Sequence, residues 1–173
     1  MSEKHASQGS PFWRFSLRLY RRPKVADACI ALQEDADVDV NLLLFLLWHA
    51  TLKRTFTAAE VTDLEERIRG WREATVIPLR AVRRALKTPP PLVAADTAEA
   101  FRTKIKAVEL ESERLQQEAM YALADPAPLG SEGPSTAAAA RANVAAYAAI
   151  MSKPFPKVAV DTVLAALEAE SQV

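Results

Sequence analysis

Arg80, Arg83, Arg84 and Lys87 place four cations in one short stretch, with Arg80–Arg84 and Arg83–Lys87 each four residues apart. On a helix such pairs share a face and repel, so carboxylates or a bound anion must lie opposite. A second basic group, Arg14, Arg18, Arg21 and Arg22, surrounds Trp13 and Tyr20, two apolar anchors. Together these cations could contact a phosphate-bearing ligand, a nucleic acid or an acidic protein face. The chain also carries its own carboxylates, at Glu109, Glu111, Glu113 and Glu118 and in the segment from Glu34 to Asp39. Internal pairing is therefore the first expectation for the arginines. Cations near a helix C-terminus are in any case favoured by the helix dipole.

Glu34, Asp35, Asp37 and Asp39, followed by Asn41, form the acidic counterpart. Hard divalent cations take oxygen ligands of this kind, and a metal held by Asp37 and Asp39 could bind a diphosphate. These acids precede a helix rather than line one, and no second acidic motif matches them. A solvated turn with a helix cap explains them more simply. His49 could exchange a proton near neutral pH, but no nucleophile motif accompanies it. A histidine bonded to a core carbonyl is the better expectation. Cys29 sits on an apolar helical face and reads as a buried, inert thiol. No catalytic residue and no cofactor is assigned.

Composition narrows the classes. The 173 residues carry 22 Lys and Arg against 22 Asp and Glu, and half are hydrophobic. A strongly basic nucleic-acid binder is disfavoured, and so is a disordered chain. A single cysteine excludes an intramolecular disulfide and a cysteine-based zinc site. The N-terminal stretch has no apolar core of a secretory signal, so a reducing cytoplasm is expected.

The elements that must position these residues are helical. "VDVNLLLFLLWHA" contains only seven consecutive apolar residues, Leu42 to Trp48, whereas a membrane span needs about 20. It reads as a buried central helix capped by Asp39. Before it, Ser10 and Pro11 open a first helix, and Pro23 separates that helix from a second. Thr57 and Glu60 have capping-box spacing, and Val61, Leu64, Ile68, Trp71, Thr75, Leu79, Val82 and Leu86 follow as one stripe. Pro78 should kink or split that long helix. Asp96 opens a further helix with a heptad-like seam of Phe101, Ile105, Val108, Leu115 and Ala119, expected to pack as an intramolecular hairpin. Core candidates are Trp13, Phe15, Leu32, Leu43, Phe45, Trp48, Leu64, Trp71 and Leu79.

The tracts "FWRFSLRLYRRPKVADACIALQEDADVDVNLLLFLLW", "WREATVIPLRAVRRALK" and "KIKAVELESERLQQEAM" resemble a bacterial family of short helical proteins, domain of unknown function 2390. The resemblance covers about residues 11–123. It implies an all-helical protein and carries no activity, cofactor or site residue.

The expected fold is all-α: a single compact helical bundle with a buried central helix, a long helical hairpin and a C-terminal helical appendage. Residues 1–10 are expected to be disordered, 11–124 to form the core domain and 125–136 a linker. Residues 137–173 should form a helical pair docked on the core. The expected function is that of a non-catalytic protein-interaction or accessory factor with a protein partner. It would contact that partner through Arg14, Arg18, Arg80, Arg83, Arg84 and Lys87. The alternative is a small enzyme binding a diphosphate or other anion through a divalent metal at Asp37 and Asp39. Nucleic-acid binding ranks third.

Overall fold

A computed structural model describes residues 9–170. Residues 1–8, which include His5 and most of the expected disordered N-terminus, lie outside the described residues. The fold is all-α. Eight α-helices are present among the described residues: α1 (Pro11–Tyr20), α2 (Val25–Ala36), α3 (Val40–Thr51), α4 (Ala58–Trp71), α5 (Ile77–Ala85), α6 (Ala95–Leu123), α7 (Thr136–Ile150) and α8 (Lys157–Glu170). Two short strands, β1 (Arg54–Thr55) and β2 (Ser131–Glu132), pair antiparallel, Arg54 opposite Glu132 and Thr55 opposite Ser131. No described helix is long and apolar enough to cross a membrane.

The chain divides into two compact units. One comprises residues up to Glu65 together with those from Gln117 onward; the other is Glu66–Gln116. In the first unit α3 is the centre, and every residue from Asn41 to Leu47 is buried. Its apolar residues point in all directions because it is covered by α1, α7 and β1. Phe12 of α1 meets Phe45 edge-on at 5.2 Å between ring centroids, and Trp48 lies 5.5 Å from Tyr121.

Capping follows the sequence. Trp13 N–H donates to Ser10 Oγ at 3.0 Å, and Leu42 N–H to Asp39 Oδ1 at 3.1 Å. At the start of α4, Thr57 N–H donates to Glu60 Oε2 at 2.7 Å and Glu60 N–H to Thr57 Oγ1 at 3.3 Å, the reciprocal box. Asp96 is not the cap, because α6 begins at Ala95 and the first helical bond runs to Ala94 O. It lies inside the first turn of α6 and accepts from Thr97 N–H.

The C-terminal helices carry small residues, which let backbones approach closely. Ala139, Ala140, Asn143, Val144 and Tyr147 of α7 are buried, and α7 packs on α3 while α8 packs on α2. Asn143 ties the middle of α3 to β1 and to the residue that follows it. Its amide nitrogen donates to Leu46 O at 2.9 Å and Arg54 O at 3.0 Å, and its oxygen accepts from Phe56 N–H at 2.8 Å. The segment between α6 and α7 is tied to β1 as well. The Arg54 guanidinium donates to the carbonyls of Leu129 and Gly130. Only glycine fits at 130, because its φ is +75° and a Cβ would come within 2.5 Å of Thr55 O.

In the second unit, α4 continues through a π-helical segment, Arg72–Val76, into α5. Pro78 is the cause: it has no N–H to donate, and its ring crowds the carbonyl four residues earlier. The chain widens by one residue per turn, and Ile77 N–H bonds Arg72 O, five residues back. This shifts the helical phase. Val76 becomes buried; Trp71, expected in the core, precedes the shift and is 41% exposed, its indole N–H turned to Ser112 O. Leu79 is only half-buried, as are Trp13 and Trp48 in the other unit. The remaining core candidates, Phe15, Leu32, Leu43, Phe45 and Leu64, are buried.

Candidate functional site

The acids proposed as metal ligands have other occupations. Asp37 ends α2 in the left-handed conformation, and its carboxylate pairs with Lys153 Nζ at 2.7 Å. Asp39 is 8% exposed and caps α3, while its own N–H donates to Tyr147 Oη at 2.9 Å. Among the described residues no three His, Cys, Asp or Glu side chains are grouped so as to hold a metal ion.

His49 is fully buried. Its Nδ1 lies 3.1 Å from Phe45 O, and Leu129 N–H donates to Nε2 at 3.3 Å. A carbonyl on one side and an amide on the other select the neutral imidazole protonated at Nδ1. Phe45, Trp48 and Phe56 stack edge-on around the ring. Burial lowers its pKa from 6.5 to about 4; the Phe45 carbonyl opposes this and the Arg54 charge adds to it. The ring is thus a neutral structural tie between α3 and the segment following α6. Burial also pushes the Cys29 thiol up to about 12, which leaves it protonated and inert.

Most of the basic residues are partnered within the chain. Arg14 is exposed, and its guanidinium donates to Gly9 O at 2.7 Å. Arg18 pairs with Glu170 at 3.0 Å. In the Glu66–Gln116 unit, Arg80 reaches Glu109 at 3.3 Å and Glu113 at 3.0 Å, and Arg83 also pairs with Glu109. Glu109 is 6% exposed, and its carboxylate holds the Arg83 guanidinium still more firmly charged. This carboxylate is what stabilises two like charges three residues apart. Arg84 and Lys87 lie exposed at the end of α5. The expected cluster of four cations is therefore split: Arg80 and Arg83 join helices, and Arg84 and Lys87 face solvent.

The order of these pairs, Arg80 with Glu113 and Arg83 with Glu109, makes α5 and α6 an antiparallel hairpin. Trp71 Nε1–H donates to Ser112 O at 3.0 Å and adds a second link. Yet α5 has no buried residue despite its apolar positions. Ile77 is 45% exposed and Val82 44%. On α6, Phe101 and Val108 are each 52% exposed and Leu115 is 44% exposed. These three are spaced by seven residues and share one face. The heptad pattern was visible in the sequence, but periodicity identifies residues on a common face without saying what covers them.

The family described as "Protein of unknown function (DUF2390)" matches residues 11–120. The chain belongs to that family. The match runs from α1 through most of α6 and includes the whole Glu66–Gln116 unit. No curated protein and no solved structure matches the chain.

Proposed function

We propose that this DUF2390 protein is a non-catalytic interaction protein, an accessory factor that docks another protein molecule on its Glu66–Gln116 hairpin. One observation carries the reading: two of the hairpin's arginines, Arg80 and Arg83, are turned inward to Glu109, while large apolar side chains of the same hairpin face water. Such an arrangement costs free energy in isolation and returns it on contact. Covering a residue the size of Phe or Leu fully is worth about 1.5–3 kcal/mol. Large apolar residues exposed at a seven-residue spacing along one helix face are suited to a contact site. Lys87, exposed just beyond α5, adds a positive charge suited to an acidic partner face.

The test is capture of partners from a nuclease-treated lysate by wild type, by Phe101→Ser and by Lys87→Glu, each first shown to be folded. The proposal expects a stoichiometric protein to be retained by wild type and lost from at least one variant. Retention of every specific partner by both variants would refute the assignment.

A further inference from the structure

The α6 stripe is matched to its own reversed copy. Phe101 and Leu115 lie seven residues before and after Val108. Turning a second α6 antiparallel about a two-fold axis at Val108 therefore sets each Phe101 against the other copy's Leu115, and Val108 against itself. A two-fold interface requires this property, that residue i meets j and j meets i.

The flanking charges select the same orientation. On one side of the stripe Ile105 is half-buried and Ser112 buried, so that side faces into the unit. On the other side lie Lys104 and Glu111, both exposed and again seven residues apart. Arg102 is paired with Glu99, Glu111 accepts from Arg114 one turn on, and Glu109 and Glu113 are taken by Arg80 and Arg83, so Lys104 and the exposed carboxylate of Glu111 are the charges that border the stripe. Parallel pairing would set this flank against the Ile105–Ser112 side of the other copy and leave both charges without a counterpart there. Antiparallel pairing brings Lys104 of each copy to Glu111 of the other, twice per interface.

We propose that the exposed face of α6, centred on Val108, is the seat of a second copy of this chain, joined antiparallel through Phe101, Val108 and Leu115 and flanked by Lys104–Glu111 pairs. This rests on the interaction reading above and names the partner for that face.

The test uses the full chain. Sedimentation across a wide concentration range should show a monomer–dimer equilibrium for wild type, and Val108→Glu should raise the dimer dissociation constant about tenfold or more. Lys104→Glu alone opposes glutamate to glutamate, and Glu111→Lys alone opposes lysine to lysine. Each should weaken the dimer while keeping the wild-type helical signal. Mixing the two variants makes both flanking pairs complementary and should restore association as a heterodimer. A monomeric wild type at every concentration, or variants whose mixture associates no better than either alone, would overturn the proposal. In the first case, loss of a different partner from Phe101→Ser would leave the interaction reading standing, and no loss would remove both.

Discussion

His49 carries the clearest consequence of a single residue's environment. Its neutral form holds Leu129 N–H and Phe45 O at once, and adding a proton would break the first of these bonds. Its pKa in the fold is about 4 against an ordinary 6.5, so the unfolded chain takes up the proton first as pH falls. Stability associated with His49 is complete above about pH 6.5, declines through the interval and levels off near pH 4. The loss is on the order of 3 kcal/mol. Urea unfolding as a function of pH should show it, and His49→Leu should flatten this part of the profile. An unchanged slope in that variant would place the acid sensitivity elsewhere. The bond to a core carbonyl was readable from a histidine closing an apolar run. The bond from Leu129 was not, since it joins residues 80 positions apart. Asn143 was illegible for the same reason: nothing local distinguishes an asparagine in an alanine-rich helix from one that ties Leu46, Arg54 and Phe56 together.

At the scale of elements, uninterrupted patterns were legible and phase changes were not. The run from Leu42 to Leu47 specified a buried helix because no choice of face could expose its residues safely. The caps at Ser10, Asp39 and Thr57–Glu60 were equally plain, because each depends on residues within one turn. Pro78 announced a disturbance but not its form. The π-helical turn it induces adds a residue to the repeat and buries Val76 in place of Thr75, while Trp71, just before it, lies 41% exposed with its indole N–H bonded to Ser112 O. The join between α5 and α6 now depends on Glu109, which neutralises Arg80 and Arg83 from a buried position. Glu109→Ala should therefore destabilise the protein by about 2 kcal/mol, as expected when hydrogen bonds to charged groups are lost. Glu111→Ala removes a carboxylate that is 53% exposed and whose pKa is lowered by bonds from Arg114 on the same helix. Its cost should stay within about 0.5 kcal/mol, because water replaces an exposed partner readily. Thermal or urea unfolding of the two variants compares them directly, and equal effects would contradict the bridging role of Glu109.

At the scale of the whole chain, the two units divide the physical roles. The unit built around α3 spends its polar side chains on itself, through Asn143, His49, Asp39 and Tyr147. The Glu66–Gln116 unit leaves Phe101, Val108 and Leu115 in water. The claim that this surface exists to receive another protein molecule can be tested at one position in living cells. A photoreactive phenylalanine analogue at Phe101 retains the aromatic ring and reports whatever lies against it. The same analogue at Val158, 79% exposed on α8 of the other unit, supplies the comparison. A discrete protein–protein adduct is expected from position 101, to a second copy or to another chain, and none from position 158. No adduct at 101, or equal adducts at both positions, would contradict that claim.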